Sequence, residues 1–178
     1  MKISHATLGL FAAVSITGCA TPGEPRDKAL AVANLAMADG SSAGTARLAI
    51  GRDNQLHLVI EASNIIPGPH GVHIHAAGKC EAPGFTSAAG HLNPQGHQHG
   101  SLNSAGPHLG DMPNLVAGAD GSATLDLNIP GETGANSAAI LDADGSAIVI
   151  HAGADDYRTD PSGNSGARIA CGVLVSAR

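Results

Sequence analysis

From Asn54 to Ala62 the chain reads NQLHLVIEA, and its side chains alternate, with Leu56, Leu58 and Ile60 on one face and His57, Val59 and Glu61 on the other. A period of two is the mark of a half-buried strand, because successive side chains of an extended backbone point to opposite faces. The pattern recurs. Leu48 and Ile50 alternate in GTARLAIG, and Leu30, Val32 and Asn34 share one side of ALAVANLAMADG. ADGSATLDLNI sets the turn-forming Asp120-Gly121 before alternating Leu125, Leu127 and Ile129. AAILDADGSAIVIHAG repeats that arrangement around Asp144-Gly145, and RIACGVLVSA supplies a last strand. About eight short strands without a helical period predict an all-β fold, an antiparallel sandwich or barrel.

A chain of 178 residues suits one domain with a sizeable core. Phe11, Phe85 and Tyr157 are its only aromatic residues, so Val, Ile, Leu and Ala must fill that core. Met1 to Gly18 has the form of an export signal, with Lys2 ahead of an apolar stretch from Leu8 to Val14 that is too short to span a bilayer. Ile16-Thr17-Gly18-Cys19 resembles a bacterial lipobox, in which Cys19 is lipidated and becomes the new N-terminus; the alternative is an ordinary cleaved signal beside an incidental cysteine. The expected organisation is a signal over 1–18, a lipidated cysteine and polar tether over 19–28, and one domain over 29–178. With Cys19 assigned to lipid, Cys80 and Cys171 remain as an even pair in an oxidising compartment. Losing residues 1–18 removes one of nine basic residues and none of the fifteen acidic ones, which leaves a net charge of −7. Such a surface argues against a nucleic-acid partner and requires a local positive patch for any anionic substrate.

Two stretches break the strand period. Roughly 35 residues rich in Gly, Pro and His separate His75 from Asn114, and AGADDYRTDPSGNSGA runs from Ala152 to Ala167; structureless loops of that length in a compact domain are functional or disordered. The chemistry concentrates there. In HGVHIH, His73 and His75 are two apart and point to one face of a strand, while His70 faces the other way. His91, His97, His99, His108 and Asp111 lie in the first loop, and His151 ends the strand AIVIH. Neutral imidazole suits copper and zinc, and a carboxylate added to histidines suits zinc. An ion would also order a loop that lacks a core of its own. Spacing alone leaves a solvated, histidine-rich loop equally open, and it does not choose between His97 and His99.

GPHGVHIHAAGKC, GHLNPQGHQHG, GPHLGDMPNL and GNSGARIACGV occur in the order and spacing of the copper,zinc superoxide dismutases, and the resemblance covers about residues 30 to 178. It implies an eight-stranded antiparallel Greek-key barrel of immunoglobulin-like kind with two long functional loops. It further implies an enzyme that converts superoxide to O2 and H2O2 with one copper and one zinc ion per subunit. Position by position, it implies that His73, His75, His91 and His151 hold copper. His91 bridges to zinc, which His99, His108 and Asp111 complete, and His97 is a solvent-facing neighbour. His70 resembles the family's structural histidine behind the strand, and Asp155 the carboxylate that links His73 to His99. His91 is also implied as the catalytic proton carrier.

Arg168 resembles the arginine that guides superoxide to copper, a role suited to a guanidinium that stays charged. No steering role is assigned to Lys79 or Arg158. The resemblance also joins Cys80 to Cys171, with two free thiols as the alternative. It leaves monomer and homodimer open and allows membrane contact only through Cys19. The expected location is the periplasm, on the outer membrane, because Ala20 stands where some inner-membrane lipoproteins carry aspartate. Two rivals remain at this stage: a protein that stores or delivers metal without dismutation, and a structural adhesion sandwich. Dismutation by the metal-loaded protein separates the enzyme from the first, and stoichiometric copper and zinc separate it from the second.

Overall fold

The computed structural model describes residues 27–177, so the export signal, Cys19 and most of the tether lie outside the described residues. The alternation of Leu56, Leu58 and Ile60 forms strand β3 (Leu56–Ala62), with those three side chains fully buried. Each contributes about 1.5–3 kcal/mol by leaving water. β3 pairs antiparallel with β2 (Ser42–Ile50), which pairs with β1 (Lys28–Met37). Gly44 allows the β2–β3 contact: its φ is +123°, and a Cβ there would collide with the backbone of Glu61 and Ala62.

The remaining strands are β4 (Gly68–His70), β5 (Val72–His75), β6 (Leu115–Ala117), β7 (Ala123–Ile129), β8 (Ala147–His151), β9 (Arg168–Val173) and β10 (Val175–Ser176). One antiparallel sheet runs β5-β8-β9-β1-β2-β3-β7, with β10 also on β1. The order β9-β1-β2-β3, three consecutive strands with a later one returned beside the first, is a Greek key. The sheet curls into a half-barrel. β4 pairs with β6 and leads through Gly71 into β5, so this ribbon connects with one edge strand of the curl and packs near β7, the other. The core is aliphatic as composition requires, with Leu35, Leu48, Leu115, Ile129, Ile148 and Ile150 among its fully buried side chains.

Leu30, Val32 and Asn34 share a side of β1, with Val32 and Asn34 exposed and Leu30 partly buried against the core, while Ala31, Ala33 and Leu35 are buried on the other side. One expectation needs correction. The stretch before Asp144-Gly145 is not a strand: Thr133–Ile140 is a helix, α1, which buries Asn136 and Ile140 and is tied down by Asn136 Nδ2 donating to the Pro130 carbonyl at 2.9 Å. Asp144-Gly145 therefore joins a helix to β8. Asp120-Gly121 does form the turn into β7, closed by Gly118 N–H on the Ser122 carbonyl at 2.8 Å. Among the described residues no helix is long and apolar enough to cross a membrane.

Candidate metal centre

Strand β5 lies at the sheet edge, and an exposed edge is a row of unpaired backbone groups. Here the first long loop covers it. Leu92 N–H donates to the Ile74 carbonyl (2.8 Å), Ile74 N–H to Gly110 (2.9 Å) and Ala76 N–H to Gly90 (2.9 Å). Isolated bridges set His75 beside His91 and His73 beside Asp111. On the other side of β5, β8 sets His73 opposite Val149, and the bulge at the end of the β8–β9 pairing sets His151 opposite Arg168. Backbone pairing thus gathers His73, His75, His91 and His151.

The ligand nitrogens of these four lie within 4.8 Å of one another. One ring nitrogen of each is already occupied: His75 Nδ1 on the Ala89 carbonyl (2.9 Å), His151 Nδ1 on Gly166 (3.0 Å), His73 Nε2 on Asp155 (2.6 Å) and His91 Nδ1 on Asp111 (2.8 Å). The other nitrogen of each, Nδ1 of His73 and Nε2 of His75, His91 and His151, is buried without a hydrogen-bond partner. Buried polar atoms are nearly always paired, so four unpartnered nitrogens converging on one point fit the donor set of a metal ion. Burial lowers the pKa of His73 and His151 to about 4 and of His75 to about 2, against only partial compensation from their hydrogen bonds. Burial also lowers that of His91. All are held as the neutral imidazole that binds metal.

A second cluster adjoins the first. Asp111 Oδ1 lies 2.8 Å from His91 Nδ1, 3.0 Å from His99 Nδ1 and 3.2 Å from His108 Nδ1. Zn–N bonds near 2.0 Å place the corners of a tetrahedron about 3.3 Å apart, so these contacts approach the edges of such a site. Mutual distance alone groups His73 rather than His108 with His91, His99 and Asp111. The unpaired atoms decide otherwise, since His73 Nε2 is committed to Asp155 while His108 Nδ1 has no hydrogen-bond partner. Burial pushes the Asp111 carboxyl up, but His91 and the N–H groups of Gly100 and His108 outweigh it and hold it well below the usual range.

Asp155, 3% exposed, joins the clusters: Oδ2 takes His73 Nε2 at 2.6 Å and Oδ1 takes His99 Nε2 at 3.0 Å. Such a carboxylate fixes ring orientation at both places. His70 lies behind the strand, with Nδ1 2.8 Å from the His151 carbonyl and Nε2 2.7 Å from Ile66. His97 is exposed, its Nδ1 on the Pro107 carbonyl at 2.9 Å, and stands apart from both clusters. His57 lies beside Asp53 on the outer sheet face.

A cleft of about 520 Å³ opens over the first cluster and is lined by His75, His91, His151, Asp160 and Arg168 among others. Arg168 is clamped by two carbonyls, Nη1 to Phe85 and Nη2 to Ala89, each at 2.6 Å. Phe85 in turn is buried in a small core with Ala88, Ala147, Val149 and Cys171, against which Cys80 packs. The Cys80–Cys171 disulfide closes that core across 91 residues, worth about 4–5 kcal/mol in chain entropy.

The copper/zinc superoxide dismutase family model matches residues 42–174. The chain belongs to the copper/zinc superoxide dismutase family. A superoxide dismutase-like protein of Bacillus subtilis is 44% identical over 145 residues, 79% of this chain and 74% of the relative. A Cu-Zn superoxide dismutase of Aquifex aeolicus is 41% identical over 145 residues, 80% of this chain and 85% of the relative. The crystal structure of a SOD-like protein from Bacillus subtilis superposes with a TM-score of 0.75 at 43% identity, covering 81% of this chain and 97% of that one.

Within this family member, several residues escaped sequence reasoning. Asn114 grips the backbone of Asp155, the Tyr157 hydroxyl accepts the Asn114 N–H at 2.8 Å, and Asp160 Oδ1 accepts the His99 N–H at 2.6 Å. Gly163, at φ +62°, packs so closely on Asp155 and His99 that a Cβ would overlap both. No spacing signals these roles, because Asn114, Tyr157 and Asp160 act on backbone groups that every residue shares and Gly163 acts by having no Cβ.

Proposed function

We propose that this chain is a copper,zinc superoxide dismutase in which His73, His75, His91 and His151 hold copper and His91, His99, His108 and Asp111 hold zinc. The supporting observation is the convergence of four buried, otherwise unpaired imidazole nitrogens beside a second His/Asp cluster that shares His91. The relatives include a protein named only dismutase-like, so family membership is a weaker warrant for catalysis than this ligand set, which is present here without a gap.

When bound, copper supplies the one-electron couple that oxidises one superoxide to O2 and reduces the next, with two protons, to H2O2. The chain's own residues do the rest. Arg168, partly buried on the cleft wall and fixed by two carbonyls, draws the anion inward against a negative net charge. His91 Nε2 is the atom placed to hold a proton on the copper side, while Nδ1 keeps its contact in the zinc cluster. Asp155 keeps His73 and His99 in the required tautomers.

Export by residues 1–18, lipidation at Cys19, a tether to residue 28 and an outer-membrane position facing the periplasm complete this reading, supported by Ile16-Thr17-Gly18-Cys19 and by the disulfide. For a homodimer, Val116 on β6 and Ile66 just ahead of β4 offer exposed apolar side chains, 65% and 74% exposed.

The deciding experiment loads chelator-stripped protein with copper and zinc and measures both metal content and superoxide consumption. One equivalent of each metal and turnover far above that of free copper are expected. Full loading with activity no higher than free copper gives would leave a metal-binding protein.

A further inference from the structure

One histidine of the first loop is used by neither cluster. His97 is exposed, yet three hydrogen bonds hold it: Asn93 Nδ2 donates to its carbonyl at 2.8 Å, its own N–H donates to Asn93 Oδ1 at 2.9 Å, and its ring Nδ1 lies 2.9 Å from the Pro107 carbonyl. A carbonyl only accepts, so Nδ1 carries the proton of the neutral ring and Nε2 keeps the free lone pair. His75 and His151 are preset for metal in the same way, each with Nδ1 on a carbonyl. Between this loop and the start of α1 lies a groove of about 350 Å³, lined by His97, His108, Asp111, Met112, Glu132 and Asn136 among others. It reaches two residues of the zinc set and none of His73, His75, His91 and His151. Glu132 is exposed at the N-terminal cap of α1, where its side chain makes no capping bond. The zinc set itself is shut in, with His99 at 0% and His108 at 7% exposure, so an ion needs a way to it.

We propose that this groove is the entry route for zinc, with His97 Nε2 and the Glu132 carboxylate as transient ligands that take the ion from water and pass it to His108 and Asp111. Imidazole and carboxylate both suit zinc. Ligands along the way let the ion shed its water in steps. His97 also lines the copper cleft, whereas Glu132 does not, so the carboxylate makes the route one for zinc. A transient ligand lowers a barrier that is crossed in both directions. Its loss therefore slows uptake and release alike and leaves affinity unchanged. The inference rests on the proposed zinc site.

The test follows zinc uptake by chelator-stripped protein in stopped flow, and zinc release to a colorimetric chelator. His97→Asn separates capture from bracing, because its amide keeps a donor near the Nδ1 position for the Pro107 carbonyl and has nothing at Nε2, whereas His97→Ala loses both. His97→Asn, His97→Ala and Glu132→Gln should each take up zinc about tenfold more slowly, the lower end of what local capture adds to an on-rate. Release should slow by the same factor. Copper uptake by zinc-loaded Glu132→Gln should match wild type. Zinc uptake by His97→Asn at the wild-type rate would leave His97 a brace of the loop and overturn the proposal. So would a loss of zinc affinity without slower uptake, or equal slowing of copper in Glu132→Gln. Wild-type protein that takes up no equivalent of zinc would instead overturn the zinc site on which the route depends.

Discussion

Asn114 holds the main chain of Asp155 from both sides, its side-chain oxygen accepting the Asp155 N–H at 2.8 Å and its amide donating to the Asp155 carbonyl at 3.0 Å. The carboxylate of Asp155 then touches both clusters, so a residue that contacts no ligand governs the orientation of two. Asn114→Ala should cost about 1–3 kcal/mol, because it strands a partly buried N–H and carbonyl. Asn114→Asp keeps the acceptor and loses the donor, and should fall between Ala and wild type. Thermal unfolding of the zinc-loaded protein gives the order; equal melting temperatures for all three would remove Asn114 from the network.

Neighbouring Asp155 and Asp156 make a controlled pair. Asp155 serves His73 and His99, whereas Asp156 is exposed and serves only its own loop, accepting from the N–H groups of Arg158 and Thr159 and from the Thr159 hydroxyl. Asp155→Asn cannot accept from both rings with both its side-chain atoms, and about 10–100-fold of metal affinity should be lost. Asp156→Asn should leave affinity near wild type while loosening the loop. Competition with a calibrated chelator measures both; equal losses would mean that Asp155 acts only by ordering the loop.

The strands were legible where the two faces differ in polarity. Leu56, Leu58 and Ile60 stand against His57 and Glu61, and only one assignment of faces buries the apolar set. In β1 the contrast fails, because the core side carries Ala31 and Ala33 and the solvent side carries Leu30 and Val32. Helix α1 gave no signal since it buries only Asn136 and Ile140 and has no apolar stripe. Spacing put His73 and His75 on one strand face, but the full ligand set, with His99 in place of His97, was legible only through the family resemblance, because a Gly-rich loop has no period that says which imidazoles turn inward. Asn114 and Asp160 were invisible because their side chains work on backbone groups.

Gly163 tests how tightly the second loop must close on Asp155. It needs a positive φ, and a Cβ there would overlap Asp155 Oδ1 and His99 Nε2. Gly163→Ala should therefore separate Asp155 from His99 and lower zinc retention. Gly134→Ala, at a helix position where a Cβ meets nothing within 4 Å, should be neutral or mildly stabilising. Zinc release followed with a colorimetric chelator distinguishes them, and identical release rates would show that the loop accommodates the methyl group.

The histidines also fix the pH response of the metal-free protein. In the unfolded chain they titrate near 6.5, while in the folded chain burial lowers His73 and His151 to about 4 and His75 to about 2. Between pH 6.5 and 4 the unfolded state therefore binds more protons than the folded one. Stability is fully present above 6.5 and falls as the pH drops through that window. Each histidine contributes a slope of about 1.4 kcal/mol per pH unit at most. The lowered carboxyls of Asp111 and Asp155 act in the same direction but lower down, below the normal carboxylate range. Denaturant unfolding of chelator-treated protein from pH 7.5 to 4.5 should show this loss, and His151→Gln should remove one proton's share of the slope. A stability that stays flat across that range would mean that these imidazoles are already solvated, and so able to take up protons, in the metal-free fold.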